Sequence, residues 1–322
     1  MSGSGAEETA PDERRGRVDW VDCARGLALI GMAAYHLSWD LADFRLIPPM
    51  FPFSSGMRLL SHSVASAFLA LVGVSLALAH RDRLNWPAYW RRLATIAAAA
   101  ALVTVGSLVF SPGAPIFFGI LHCIVAASLV AAPFVEAPAW ASLGAGGAAI
   151  AAPYFVNSTV FDPPALQWIG LGEALPSTLD WRPLLPWAGV VLVGLGLARL
   201  PGALSRLTAP GRWRAASGLS RTLAFAGRHS LIIYLVHQPV LIGALYAATH
   251  WGGLAPKADV SAFLASCQRA CVAKGRPAAE CETGCRCVAD AVASSGDPDR
   301  LESLAPERRA ELKRLADACM GR

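Results

Sequence analysis

Leu59–Ala79 reads LLSHSVASAFLALVGVSLALA, an unbroken run without a charged side chain. A helix needs about 20 apolar residues to cross the hydrocarbon core of a bilayer. This run meets that length. Six further mainly apolar segments surround it: Val21–Leu41 before, then Trp90–Phe110, Ile116–Val135, Trp140–Val156, Leu184–Leu200 and Ser230–His250. The fifth and sixth spans are rich in Gly, Ala and Pro. Their Gly144, Gly146, Gly147, Gly194 and Gly196 are small enough to let helix backbones approach closely. The expected fold is all-α, a polytopic transmembrane bundle of about seven spans.

Composition agrees. Of 322 residues, 54% are hydrophobic and 16% are charged, with a mean hydropathy of +0.44. An ordinary soluble domain carries about 25% charged residues. The short alternating segments of a transmembrane β-barrel are absent. Net charge is +5, but the basic residues lie in loops. They therefore speak of topology, and nucleic acid is not an expected partner. The start, MSGSGAEETAPDERRGR, is polar and reads as a disordered tail over residues 1–17, with no cleavable signal peptide expected in it.

Lys and Arg orient the spans. Arg14, Arg15 and Arg17 flank span one. Arg81, Arg83, Arg91 and Arg92 follow span two. Arg199, Arg206, Arg212, Arg214, Arg221 and Arg228 follow span six. All three groups share one side if there are seven spans. The loops around Ser111–Pro115 and Asn157–Pro183 hold only Arg182. The positive-inside rule then places the N-terminus in the cytoplasm. The expected location is the inner (plasma) membrane, with the C-terminus periplasmic or extracellular.

Beyond the membrane part (18–253) the chain changes character. The extension, residues 254–322, is polar and holds Cys267, Cys271, Cys281, Cys285, Cys287 and Cys319. Cys267/Cys271 and Cys281/Cys285 are each spaced i, i+4, on one helical face. Gly275-Arg276-Pro277 between them signals a turn. Two antiparallel helices would pair Cys267 with Cys285 and Cys271 with Cys281. Cys287 and Cys319 would then tie back a third helix, Pro306–Ala318. That is one of fifteen pairings open to six cysteines. A thiolate metal site is the competing reading. No histidine lies in the extension and the spacings differ from those of zinc sites. The expectation is therefore disulfides, no metal, and an oxidising compartment.

Four histidines, His36, His62, His122 and His237, interrupt the apolar spans. Ionisable groups inside a membrane are expensive and point to function. At roughly 1.5 Å per residue, His36, His62 and His122 fall toward the outer side and His237 nearer the midplane. Asp40 follows His36 by four residues and shares its face. Tyr234 precedes His237 by three, and Pro239 follows it. Each has a bland alternative: His62 as an interfacial residue, His122 and His237 as buried, hydrogen-bonded side chains. Asp22 and Arg25, near the inner end of span one, read as a structural ion pair or a phosphate-binding point. Trp181-Arg-Pro-Leu-Leu-Pro-Trp187 reads as an interfacial aromatic anchor or as the rim of a pocket.

Five motifs occur in order: RVDWVDCARGLALIGMAAYH (17–36), FLALVGVSLALA (68–79), FFGILHC (117–123), DWRPLLPWAGVVLVG (180–194) and GRHSLIIYLVHQPVL (227–241). Together they resemble the bacterial membrane family related to heparan-alpha-glucosaminide N-acetyltransferase, over about residues 17–250. The resemblance implies a membrane acyltransferase that moves an acetyl group from acetyl-CoA to an amine or hydroxyl of a sugar or envelope glycan. It carries Asp22, Arg25, Gly26, His36, Gly119, His122, Pro186, Trp187, Ser230, Tyr234, His237, Gln238 and Pro239 as motif positions. The eukaryotic members have more spans. Their catalytic histidine lies in a segment before span two that has no clean counterpart here, and His62 sits near that point without matching it.

His36, His122, His237 and His62 are thus the expected catalytic residues, supported by Asp40, Tyr234, Gln238 and Trp187. Arg25 and Asp22 are expected at the coenzyme phosphates. Neutral imidazole suits proton removal near pH 7. A second imidazole, Tyr234 or Gln238 would stabilise the thioester oxygen as charge develops on it. Direct transfer and an acyl-histidine intermediate both remain open. So do a proton-coupled transporter of a small polar metabolite, a scaffold displaying the Cys-rich extension, and a homo-oligomer.

Overall fold

The structure, a computed structural model, describes residues 18–81, 83–209, 214–254, 261–294 and 306–320. The expected disordered tail, with Arg14, Arg15 and Arg17, lies outside the described residues, as does Arg212. The described chain is helical: α1 Asp19–Asp43, α2 Ser55–Ala79, α3 Trp86–Phe110, α4 Ile120–Ala131 and α5 Ala139–Phe155. After these come the short α6 Pro164–Gln167, α7 Leu184–Ala198, the short α8 Ala203–Thr208, α9 Gly218–Arg228 and α10 Ser230–His250. The extension supplies α11 Ser261–Ala273, α12 Ala278–Ser294 and α13 Pro306–Met320. Each of the seven segments read from hydropathy is a helix. Three of them, α2, α3 and α10, are long and apolar enough to cross a membrane, while α4 (extended by a 3-10 turn to Val135) and α7 are shorter apolar helices.

The contacts divide the chain into two units, one holding the described residues up to 34 with 59–238, the other 35–58 with 239–322. In the first, α7 is the central helix, with Val191, Leu192 and Leu195 buried among Leu69 and Leu76 of α2 and Ala127 and Cys123 of α4. Small residues let it sit there. A Cβ at Gly194 would lie 2.3 Å from the Ala70 carbonyl oxygen, and one at Gly189 would lie 2.5 Å from that of Gly146. Gly144 and Gly147, expected at a helix interface, instead face open space. One helix face is all that a single neighbour can use.

The α2–α3 turn is a closed polar arrangement. The Asn85 side chain caps α3 by accepting from Ala88 N–H at 3.2 Å. Leu84 N–H donates to the Glu136 carboxylate at 3.1 Å. His80, 4% exposed, accepts from Asn85 N–H through Nδ1 at 3.2 Å. Burial, and then the nearby Arg92 charge, hold the His80 imidazole below its ordinary value of 6.5. As pH falls through that ordinary value the unfolded chain takes up the proton first. Stability is therefore intact above about pH 6.5 and declines as pH drops toward the depressed folded value. The melting temperature of the purified protein is expected to fall across this window. His80→Gln keeps an acceptor but does not titrate, so its profile should be flatter. Parallel profiles would refute the role given to His80.

In the second unit the extension forms a stapled hairpin. Cys267 pairs with Cys285, Cys271 with Cys281, and Cys287 with Cys319, at Cα separations of 5.8, 5.7 and 5.6 Å. Cys281 and Cys285 are fully buried and Cys271 nearly so, with Leu264 and Cys267 packed on them. Gly275 reverses the chain at φ +82, a backbone region that glycine enters without strain. So small a core needs covalent help, and each bridge is worth about 2–4 kcal/mol.

Candidate functional site

Within the first unit, polar residues gather at the two ends of α2. Ser61 marks one end and Ser75 the other, roughly 21 Å apart along the helix.

At the Ser61 end, loop 111–119 runs beside loop 177–183. Phe118 and Trp181 form an isolated parallel bridge, Arg182 N–H donates to Phe118 O at 3.1 Å, and Leu179 N–H donates to Ala114 O at 3.2 Å. This pairing brings Asp180 to the start of α4, where its Oδ2 accepts from Ile120 N–H at 2.9 Å. A carboxylate there satisfies one of the orphan amides at a helix N-terminus and complements its dipole. Gly119 makes room: an added Cβ would lie 2.5 Å from Asp180 Oδ2. Gly119→Ala is therefore expected to displace Asp180 and cost about 1–3 kcal/mol. Asp180→Asn keeps an acceptor and should cost less. Melting temperatures in detergent compare the two, and a native-like Gly119→Ala would overturn the argument.

His122 occupies the first turn of α4. Its Nε2 lies 3.2 Å from Thr104 Oγ1 of α3, and its ring tilts on Phe118 at 5.9 Å. The Arg182 guanidinium donates to Ser61 Oγ and lies 5.5 Å above the Trp187 ring, a cation–π contact. Trp187 in turn faces His62, an exposed residue, at 5.8 Å. On α10, His237 Nδ1 is 2.6 Å from Tyr234 O, and the two rings are 5.7 Å apart. A carbonyl only accepts, so Nδ1 carries the proton and Nε2 the lone pair of the neutral ring. Tyr234 packs on the main core. Both Asp180 and Arg182 lie within electrostatic reach of it, and Asp180 also within reach of His122.

At the Ser75 end is a cavity of about 250 Å³ lined by Asp22, Arg25, Ser75, Leu78 and Arg228 among others. Arg25 Nη1 is 3.2 Å from Asp22 Oδ1, and Arg25 Nη2 donates to Ser75 Oγ. Asp22 is 6% exposed. Helix α9 is set against α1 here by two glycines. A Cβ at Gly227 would lie 1.8 Å from Asp22 O, and one at Gly26 would lie 2.2 Å from Leu223 O. That contact brings Arg228 to the cavity wall.

His36 and Asp40 belong to the second unit. Asp40 is 3% exposed, and the His36 ring meets Tyr35 edge-on at 5.7 Å.

A family model described as heparan-alpha-glucosaminide N-acetyltransferase, catalytic, matches residues 17–239. The chain belongs to this family. No curated protein and no solved structure matches it. The membrane acetyltransferase match begins beside α1 and ends at Pro239, so both polar clusters lie within it and α11–α13 lie beyond it.

Sequence reasoning missed Asp180, Thr104, Ser61, Ser75 and Arg228 as members of these clusters. Asp180 had one signal, an acid at the head of the Trp/Pro-rich entry to α7. Serine and threonine within apolar helices carry none, because they occur throughout such spans.

Proposed function

We propose that this acetyltransferase-family chain moves an acetyl group from acetyl-CoA to an amine or hydroxyl of a sugar or envelope glycan, assisted by histidine. One observation supports the reading: a single family-matched domain holds a cationic cavity at one end of α2 and a polar cluster containing His122 at the other. Arg25 and Arg228 have the charge and donors to hold coenzyme phosphates, and Asp22 fixes Arg25 by an ion pair. His122 or His237 takes the proton from the acceptor as its nitrogen or oxygen attacks the thioester carbon. The C–S bond breaks, and that proton passes to the departing thiolate. Asp180 is opposite in sign to the imidazolium that forms. Tyr234 O–H or the Gln238 amide is suited to the developing oxyanion. Trp187 stands between Arg182 and His62 at this end, and His36, with Asp40 four residues on, is a separate candidate base in the second unit.

The same reading puts the catalytic domain at 18–253 in the inner (plasma) membrane, N-terminus in the cytoplasm, with the 254–322 extension outside. Arg81, Arg83, Arg91, Arg199 and Arg206 support this orientation, and Arg45 and Arg58 run against it. The three disulfides support it independently, since such bridges persist in oxidising compartments. Donor then enters from the cytoplasmic side and acceptor from the other.

The test supplies acetyl-labelled coenzyme to inverted and right-side-out vesicles containing the protein. Label is expected in envelope glycan only when the donor reaches the cytoplasmic face. Equal labelling from the outer face sinks the vectorial reading. Proton-linked uptake of a polar solute without acetylation would favour a transporter.

A further inference from the structure

We propose that Thr104 is a positioning residue that holds His122 as a base acting through Nδ1. The inference rests on the acyl-transfer reading for its kinetic consequence, but its structural content stands alone.

Thr104 Oγ1 lies 2.8 Å from the Ile116 carbonyl oxygen. A carbonyl has no proton to give, so the hydroxyl proton is committed to that contact and only lone pairs remain on Oγ1. The same oxygen lies 3.2 Å from His122 Nε2. Nε2 must therefore be the donor. Neutral His122 is the Nε2–H tautomer, and its basic nitrogen is Nδ1. This is the opposite tautomer to that of His237, whose Nδ1 donates to Tyr234 O.

The surrounding bonds keep Thr104 from turning. Ser107 Oγ donates to Thr104 O at 2.9 Å, and Ile116 N–H donates to Ser107 Oγ at 2.8 Å. Thr104, Ser107 and Ile116 thus close a ring of hydrogen bonds in which every hydroxyl proton has one acceptor. Such satisfied networks fix a single arrangement. When Nδ1 accepts a proton, Nε2–H still donates to Thr104, so no bond in the ring needs to change. A base whose support is already arranged for its protonated form has little reorganisation to undergo during reaction. No neighbour in the sequence marks Thr104 for this task. It sits in the apolar run of α3, and only the return of the chain at Ile116 and His122 gives it partners.

Two measurements test the proposal on the full chain in nanodiscs. The first is the ¹⁵N spectrum of histidine-labelled protein, with the His122 signals identified by their loss in His122→Gln. The native chain is expected to show protonated Nε2 and unprotonated Nδ1. Thr104→Val should shift His122 toward the other tautomer, and Thr104→Ser should keep the native one. Protonated Nδ1 in the native chain overturns the proposal, as does a native tautomer in Thr104→Val. The second is turnover. Thr104→Val is expected to lower kcat about tenfold or more with the donor KM unchanged, and Thr104→Ser to recover most of it. A serine variant as slow as the valine variant also overturns it. Absence of any acetyl transfer would fail the functional reading, while the spectrum still decides the tautomer.

Discussion

Gly227→Leu is expected to prevent α9 from seating on α1 and to abolish accumulation of folded protein. The Asp22 carbonyl oxygen would lie 1.8 Å from the added Cβ and its carbon 2.6 Å. Both are backbone atoms, so no rotamer change relieves the clash. Alanine already demands that one helix retreat, and leucine demands more. Overpacking costs about 1–3 kcal/mol where side chains can adjust, and the cost here should exceed that range. The retreat would also carry Arg228 away from Arg25 and open the cavity. A conformational assay in detergent, such as thermal unfolding or protease sensitivity, reads the effect. Gly243 is the control: an added Cβ there meets nothing within 4 Å. Gly243→Ala should therefore melt like the native chain. A Gly227→Leu protein with native melting would show that α1 and α9 are not held by this contact.

The apolar helices are legible in the sequence because hydropathy is local to each segment, although only α2, α3 and α10 are both long and apolar enough to cross a membrane. The hairpin of the extension is legible for the same reason. Cys267/Cys271, Cys281/Cys285 and the turn at Gly275 all lie within one short stretch. The short α6, α8 and α9 escape notice because none is apolar enough to span and each lies in a loop by hydropathy. Glycine roles divide similarly. Gly146, Gly189 and Gly194 face a neighbour while Gly144 and Gly147 do not, and no count of small residues distinguishes them before the helices are placed. Site residues that depend on distant partners are the hardest. Asp180 meets Ile120 across 60 positions, and Arg182 meets Ser61 across 121. The histidines stand out by being costly in lipid, whereas Thr104 and Ser75 are cheap there and gain significance only from what faces them.

If the two ends of α2 divide the work between them, their variants should fail in different ways. His122→Gln is expected to lower kcat by about 10²–10⁴, the usual contribution of a positioned base, with the donor KM little changed. At the other end the choice of variant matters. Arg25→Ala would leave Asp22, 6% exposed and paired with Arg25 at 3.2 Å, as a buried charge without that cation. Such removal is strongly destabilising, so loss of activity there would report folding as much as binding. Arg228 is the cleaner probe, being exposed and lining the same cavity. One charge-assisted hydrogen bond to a phosphate is worth about 1.5–3 kcal/mol. Arg228→Gln should therefore raise the donor KM about tenfold or more and leave kcat nearly native. Steady-state coenzyme A release at varied acetyl-CoA measures both parameters, and the double variant should show the two defects multiplied, as expected of sites too far apart to interact. A kcat loss in Arg228→Gln matching that in His122→Gln would instead mean that both residues act on the same step. The separation of donor grip and proton transfer along α2 would then be wrong.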